Sequence, residues 1–209
     1  MTVQTPAGLK RMDELRYGDQ VRVASLETGA TSYEAIKSFI QARPNRTTEF
    51  VTVYHALGGD QPLILTPTHL VFASVDGLSS PTDVTGAQLK PGMFLWVAGR
   101  GDKLMPSKVA DVARELLTGF YSPMTASGTI LVEGVLASTY IDVNGGLRHA
   151  LAHRIFGLPR LFFDWVAVNA EGTLPEDHMT LWAYTWCLPW VFVTDGLRAL
   201  LPLLSSVIV

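Results

Sequence analysis

Residues 15–21 read Leu-Arg-Tyr-Gly-Asp-Gln-Val, and residues 89–95 read Leu-Lys-Pro-Gly-Met-Phe-Leu. Each copy has a leucine, a basic residue, any residue, a glycine, two further residues and an aliphatic side chain that begins an extended run. A second, looser echo follows in the same order, with TPTHLVF at residues 66–72 and TASGTIL at residues 125–131. Two copies are too few for a solenoid or a propeller. They favour a duplication in which two similar β subdomains share one core.

Short β-branched or aromatic segments, separated by glycine, proline or aspartate, surround these repeats. Residues 20–24 alternate between polar and apolar side chains, which is typical of a half-buried strand. Turn chemistry is found at residues 6–8 and 27–30. The other predicted strands are residues 50–56, 63–65, 70–73, 94–98 and 129–132. We therefore predict a mostly β domain, in which residues 33–40 and 109–117 are compatible with either helix or strand.

The composition limits the classes of partner and site. The chain has 209 residues, of which 48% are hydrophobic, and a net charge of −3. This apolar content suffices for one packed domain with a smaller appendage. Nucleic acid is not an expected partner, because phosphate binding requires a basic face and no basic run is present. The one cysteine, Cys187, excludes an internal disulfide and a cysteine-based zinc cluster, and we expect no metal and no cofactor.

The character of the sequence changes after residue 143. Helical spacing is found in residues 147–156 and 160–168, and apolar residues dominate from residue 181 to residue 209. Prolines and charges interrupt this last stretch, whereas a membrane-spanning helix needs about 20 apolar residues in succession. Two short helices at a membrane interface and a helical pair docked on the β domain both fit the pattern. We divide the chain into a core, residues 1–143, and a helical region, residues 144–209.

Thr66 and His69 are the first candidates for chemistry, in the segment Thr66-Pro67-Thr68-His69 between two apolar runs. A histidine in this position can be a half-buried ring whose nitrogens are satisfied by nearby backbone. Alternatively, Thr66 and His69 face one pocket, where the imidazole donates to or orients a peptide that is under attack. The motif taken alone does not decide between these interpretations.

In its order of segments the chain resembles the Hedgehog C-terminal autoprocessing (Hog) domain, which belongs with inteins to the Hint superfamily. The resemblance runs through residues 2–3, 15–21, 63–71, 89–92, 122–131, 135–138 and 152–154, and so covers essentially the whole chain. It implies a Hint fold, a flattened all-β disk with pseudo-two-fold symmetry. It also implies that the region of Trp182, Tyr184, Trp186 and Trp190 is a helical appendage that recognises sterol or membrane.

The resemblance further implies a two-step self-cleavage. In that family a cysteine at the start of the domain attacks the preceding peptide carbonyl and forms a thioester, and Thr66 and His69 hold the positions that serve this step. A sterol hydroxyl, cholesterol in the simplest case, then attacks the thioester with help from a carboxylate, and the upstream fragment leaves as a lipid ester. The implied partners are this upstream fragment and a sterol or membrane lipid. The implied location is the secretory pathway, the cell exterior or a membrane.

Three positions depart from the family pattern. The initiating cysteine is expected a few residues before Thr2, where this chain has Met1, and the N-terminal residues lack the apolar run of a signal peptide. The position of the carboxylate is occupied by Gln41, an amide that cannot accept a proton at neutral pH. The position of a second cysteine is occupied by Thr139. Cys187 lies far along the chain and is expected to be a packing residue rather than a substitute nucleophile.

These departures leave three interpretations. In the first, the natural precursor carries the cysteine and a thioester-forming core, and Gln41 favours water or another nucleophile over sterol. In the second, the chain is a degenerate Hint module that does not cleave and acts as a binding or membrane-associated domain. Loss at three positions predicts that the chain as written is inactive. In the third, an unrelated β protein carries a membrane-docking tail, which leaves the ordered matches unexplained.

Overall fold

The computed structural model describes residues 1–99, 101–142, 149–150 and 153. By its internal contacts the chain divides into two units, Met1–His153 and Arg154–Val209, and every described residue belongs to the first. Three expectations lie outside the described residues: the boundary after residue 143, the helical appendage with Trp182, Tyr184, Trp186 and Trp190, and the packing of Cys187. Residues 149, 150 and 153 are helical. Within the part of the chain that is described, no helix is long and apolar enough to cross a bilayer.

The described residues form twelve β-strands and two short 3-10 helices. The strands are β1 (Thr2–Thr5), β2 (Gly8–Arg11), β3 (Gln20–Ala24), β4 (Thr31–Ala35), β5 (Ser38–His55), β6 (Leu63–Leu65), β7 (His69–Ser74), β8 (Thr82–Thr85), β9 (Phe94–Ala98), β10 (Leu104–Met124), β11 (Thr129–Val132) and β12 (Val135–Ile141). The 3-10 helices are Met12–Glu14 and Gly86–Gln88. The prediction of a mostly β domain is confirmed, and the two ambiguous segments are extended, in β4–β5 and in β10.

Ten strands form one sheet, in the order β2-β1-β11-β12-β7-β9-β10-β5-β6, with β8 paired to β7 and a further pairing between β12 and β9. Strands β3 and β4 form a separate two-stranded sheet. The first strand of the chain is thus held by one of the last, since Val3 of β1 pairs with Val132 of β11. Strand β12 lies between β11 and β7, inside the sheet, where both of its edges are paired.

The core is built from aliphatic side chains of nearly every strand. Strand β3 buries Val21 and Val23 but exposes Gln20, as its alternating pattern predicts. Ile36, Leu95 and other large side chains are likewise buried. Burial of each such side chain contributes about 1.5–3 kcal/mol, and this is the main source of stability for the sheet.

The two repeated segments fold alike. Leu15 and Leu89 each follow a 3-10 helix and are buried in the same core. The glycines three residues on, Gly18 and Gly92, have positive φ angles of 84° and 94°. A carbonyl from elsewhere in the chain accepts each glycine N–H group, because Gly18 N donates to the carbonyl of Ile36 and Gly92 N to that of Val109, each at 2.9 Å. The repeated sequence motif therefore corresponds to a backbone hydrogen bond that is repeated at the same position, the glycine, in both segments.

The second echo is also preserved. In the turn at residues 66–69, His69 N donates to the carbonyl oxygen of Thr66 at 3.0 Å, and in the turn at residues 125–128, Gly128 N donates to that of Thr125 at 3.4 Å. Each turn leads directly into a strand, β7 in the first case and β11 in the second. The position of His69 in one turn thus corresponds to that of Gly128 in the other.

Candidate active site

A pocket of about 430 Å³ opens beside the turn at residues 66–69. Its lining includes all four site residues that the sequence singled out within the described part of the chain: Gln41, Thr66, His69 and Thr139. Met1, which leads into β1, lines the same pocket. Residues that are far apart in the sequence are thus brought together around the point where the chain enters the sheet.

His69 is held by a hydrogen bond from its ring to the backbone of β12. Its Nε2 lies 2.8 Å from the carbonyl oxygen of Ser138. Since a carbonyl only accepts hydrogen bonds, Nε2 carries the proton, and in the neutral ring Nδ1 keeps its lone pair. Burial lowers the pKa of His69, and the hydrogen bond to Ser138 opposes this effect. The imidazole is therefore neutral at neutral pH, with Nδ1 free to act as a proton acceptor.

The turn that carries Thr66 and His69 is fixed from several directions. The carbonyl of Pro67 accepts from Ala87 N at 2.9 Å, and that of Thr68 accepts from Asp142 N at 2.8 Å. Gly86 packs against the same turn so closely that an added Cβ would lie 2.8 Å from the carbonyl oxygen of Thr66. Glycine is therefore required at this position by close approach of the backbone.

The acceptor for His69 belongs to an irregularity in β12. Ala137 pairs with Val71 and Ile141 pairs with His69, so β12 advances four residues while β7 advances two. Residues 138–140 form a bulge, and backbone groups in a bulge leave the ladder and need other partners. The bulge thus releases the Ser138 carbonyl from strand pairing and makes it available to a side chain.

Backbone groups at the start of this bulge form hydrogen bonds outside the pairing of β12 with β7. Thr139 N donates to the carbonyl of Gly128 at 2.8 Å, and Tyr140 N donates to the hydroxyl of Ser138 at 3.0 Å. The carbonyl of Thr139 accepts from the hydroxyl of Ser122 on β10, at 3.3 Å. Because an unpaired buried peptide group costs on the order of 1–3 kcal/mol, these bonds hold the bulge in one conformation.

Gln41 and Thr139 lie near one another through Ser122. Gln41 of β5 pairs with Ser122 of β10, whose hydroxyl reaches the backbone of Thr139. Thr139 is buried, and its hydroxyl has no hydrogen-bond partner among the residues that the structure describes. One polar atom in the pocket wall is therefore unsatisfied, and neither residue supplies a carboxylate or a thiolate.

Among the described residues that line the pocket, Asp13 is the one with a carboxylate. It is exposed and hydrogen-bonded to the Arg11 guanidinium at 2.9 Å, and this bond lowers the pKa of the carboxyl. A carboxylate with a lowered pKa is a weak base, so Asp13 is poorly suited to general-base catalysis. In the described ranges no three His, Cys, Asp or Glu side chains converge to hold a metal ion.

Ser138 and Ser122 line the pocket, and the sequence did not single them out as site residues although both lie in segments that match the family pattern. Ser138 acts through its own backbone carbonyl, which accepts from His69. Ser122 acts through its hydroxyl, which donates to the backbone carbonyl of Thr139. No residue type indicates such a role in a sequence.

Comparison with known proteins identifies the family. A model of the Hint module matches residues 1–187. This chain belongs to the Hint family. The Hint module here is 33% identical to the Indian hedgehog protein of Gallus gallus over 155 residues, which are 71% of this chain and 36% of that protein. It is 29% identical to the qua-1 protein of Caenorhabditis elegans over 194 residues, 86% of this chain and 16% of that protein. The chain thus spans well under half of these relatives.

Solved structures support the fold. A bacterial intein-like domain from Clostridium thermocellum matches with a TM-score of 0.52 and 18% identity, over 66% of this chain and 93% of that one. A variant of the Ssp DnaB mini-intein matches with a TM-score of 0.56 and 6% identity, over 68% of this chain and 90% of that one. These likenesses confirm the predicted Hint fold, and the hedgehog relatives confirm the predicted family.

Proposed function

We propose that this Hint module is the autoprocessing domain of a longer precursor, which it cleaves ahead of β1 through an internal thioester. The observation that supports the proposal is the shared pocket of Met1, Thr66, His69 and the β12 bulge. A peptide that leads into β1 enters the pocket that His69 also lines. Since the relatives are several times longer than the matched region, such an upstream fragment is expected as the substrate.

The first step needs a cysteine thiol in the segment that precedes Thr2. Its sulfur attacks the preceding carbonyl carbon, the C–N bond breaks, and the amide becomes a thioester and a free amine. His69 Nδ1 takes the thiol proton and returns it to the departing amine. While the ring is positively charged, its Nε2–H bond to the Ser138 carbonyl is strengthened, because a charged donor makes a stronger hydrogen bond. The Thr66 hydroxyl orients the peptide in the same pocket.

The second step transfers the upstream fragment from sulfur to an oxygen nucleophile and regenerates the thiol. Gln41 lies in the pocket at the position where the resemblance expects a carboxylate, and Asp13 is a weak base. We therefore assign the attack to water or to a small added nucleophile in preference to a sterol hydroxyl, which needs proton removal by a general base.

A fusion protein tests the first step. A reporter and a short segment led by cysteine are joined to the N-terminal side of Thr2 in the full chain, and the folded protein is incubated with dithiothreitol, with and without cholesterol. Mass spectrometry of the products should show thiol-induced release of the reporter. The matched control carries serine instead of the added cysteine and should release none. A folded fusion protein that is not cleaved would contradict the proposal.

The second step is tested by Gln41→Asp in the same fusion protein. The parent should give the free acid or the thiol adduct, and the aspartate variant should give a detectable cholesterol ester. A sterol adduct of equal yield in both proteins would show that Gln41 does not limit the choice of nucleophile.

A second candidate function is a Hint module that has lost cleavage and serves as a binding or membrane-associated domain. The amide of Gln41 and the unsatisfied hydroxyl of Thr139 in the pocket favour it. A folded, uncleaved fusion protein in the assay above would support this function over self-cleavage.

A further inference from the structure

Ser138 contacts two histidines at once. Its carbonyl oxygen accepts from His69 Nε2 at 2.8 Å, and its hydroxyl lies 2.9 Å from Nδ1 of His149. His69 faces the pocket, whereas His149 belongs to the helical segment that follows the core. One residue of the β12 bulge thus joins a ring in the pocket to a ring behind the strand.

A third hydrogen bond favours one direction for the second. The Ser138 hydroxyl oxygen accepts from Tyr140 N at 3.0 Å. The hydroxyl proton then remains for His149, whose Nδ1 is an acceptor in the neutral tautomer that carries its proton on Nε2. The Ser138 hydroxyl thus bonds both to Tyr140 N, within the bulge at residues 138–140, and to His149.

The ring of His149 is held tightly in this position. It is 7% exposed and packs edge-on against Phe72 of β7, with 4.9 Å between ring centroids. His153 stacks on it at 5.9 Å with an angle of 7° between planes. Gly128 makes room for the pair, because a Cβ there would lie 2.9 Å from His153 Nδ1 and 3.2 Å from His149 Cε1. Such packing fixes a ring at one orientation.

Among the described residues, three ionisable groups face His149. His153 stacks on it from the same helical segment, Tyr140 of β12 contacts its ring, and Asp83 of β8 accepts its backbone N–H at 3.0 Å. Burial, assisted by His153 and opposed by Asp83, lowers the pKa of His149 to about 4. His149 is therefore neutral, and able to accept from Ser138, at every pH at which the module is expected to work.

We propose that His149 is a positioning residue for the site: by accepting the Ser138 hydroxyl, it fixes the peptide group whose carbonyl holds His69. The helical segment after the core thereby controls the orientation of the imidazole in the pocket. The consequence for cleavage rests on the proposed function, but the consequence for the His69 ring does not.

The first experiment needs no cleavage. The imidazole nitrogens of the full chain, which has five histidines, are labelled with ¹⁵N, and the rings are titrated by NMR. In the unaltered protein His149 should be neutral with Nδ1 unprotonated. In His149→Phe, which keeps a ring but removes the acceptor, the pKa of His69 should fall further, since its carbonyl partner is no longer fixed. His149→Asn puts an amide near the Nδ1 position and should restore the titration.

The matched control is His153→Phe. His153 Nδ1 contacts the Tyr140 hydroxyl at 3.0 Å and stacks on His149, but it does not bond Ser138. This variant should leave the titration of His69 unchanged. A protonated Nδ1 on His149 in the unaltered protein would overturn the proposal without any variant, and so would an unchanged His69 titration in a folded His149→Phe.

The second experiment measures the rate of thiol-induced release across pH in the fusion protein. We expect His149→Phe to slow release roughly tenfold at neutral pH, and Ser138→Ala to slow it at least as much, because the serine hydroxyl also accepts from Tyr140 N. The double variant should be no slower than Ser138→Ala, since both changes remove the same hydrogen bond between Ser138 and His149. His149→Asn should recover most of the rate. An equal loss at all pH values in His149→Phe and His153→Phe would mean a merely structural role. If the parent fusion releases nothing, the proposed function fails, and the NMR titration still decides the role of His149.

Discussion

The turns at residues 66–69 and 125–128 have the same backbone hydrogen bond and lead into the two strands on either side of β12, yet only the first has a side chain at its fourth residue. In the first turn His69 reaches the Ser138 carbonyl. In the second, Gly128 has no side chain, and its carbonyl accepts from Thr139 N. The space that a side chain would need there is occupied by Tyr140, His149 and His153. The two turns share threonine at their first position and differ at the other three, and the difference at the fourth position decides whether a side chain reaches β12.

The largest expected effect comes from removing the side chain that distinguishes the two turns. In the cleavage assay His69→Ala should slow thiol-induced release by at least about 100-fold, since a positioned general base contributes on the order of 10² to 10⁴. The matched variant in the other turn is Ser127→Ala, which removes the contacts of the serine hydroxyl with the hydroxyl and the backbone N–H of Thr129. It should change the rate by less than about twofold. Comparable losses in both would mean that the turns share a structural role.

The repeated leucines test whether the segments at residues 15–21 and 89–95 are equally important for stability. Leu15 and Leu89 belong to one core and are 3% and 4% exposed. Leu15→Ala and Leu89→Ala should each lower the free energy of unfolding by about 2–5 kcal/mol, because each leaves a cavity among buried side chains. Urea unfolding followed by tryptophan fluorescence measures both. A loss that is confined to one of them would show that the duplicated halves are not energetically equivalent.

Some features of the site were visible in the sequence and others were not. The repeat at residues 15–21 and 89–95 predicted two similar β units, and the Thr66–His69 spacing put the candidate site at a turn between strands. The bulge in β12 could not be predicted, because nothing in the residue types of 135–141 distinguishes a bulged strand from a regular one and the shift appears only in their pairing with β7. The contact of His149 with Ser138 was equally hidden. The four-residue spacing of His149 and His153 on a helical segment was its one available signal.

The backbone conformation that residues 15–21 and 89–95 share predicts a smaller loss of stability in each segment. Gly18 and Gly92 have positive φ angles and nothing within 4 Å of an added Cβ. Gly18→Ala and Gly92→Ala should each cost about 1 kcal/mol of stability, which is the strain of a left-handed conformation alone. Gly128→Ala has the same strain and additionally meets Tyr140 Cε2 at 2.8 Å, so it should cost more. Thermal unfolding of the three variants provides the comparison, and equal costs would contradict the close packing at Gly128.

The last effect is the response to acid of His149, the histidine beside the second turn. The pKa of His149 is about 4 in the folded chain against an ordinary value of 6.5, because of burial. The unfolded chain therefore binds its proton first as the pH falls, and this part of the stability is complete above about pH 6.5 and decreases between about pH 6.5 and 4. In His149→Asn, unfolding free energies measured by urea at several pH values should decrease less over this range. A slope that matches the unaltered protein would show that other groups carry the acid response.

The pairing of β1 with β11 has a consequence for timing. Strand β1 is synthesised before its partner β11, residues 129–132, and the Ser138 carbonyl that holds His69 follows β11 in the chain. Contacts between such distant parts of a chain form slowly, since a long loop must close first. Under the proposed self-cleavage, the fragment upstream of β1 is synthesised before the Ser138 carbonyl that holds His69, and it can begin to fold before the site is complete. The order of the strands in the chain would then separate the folding of the upstream fragment from its release.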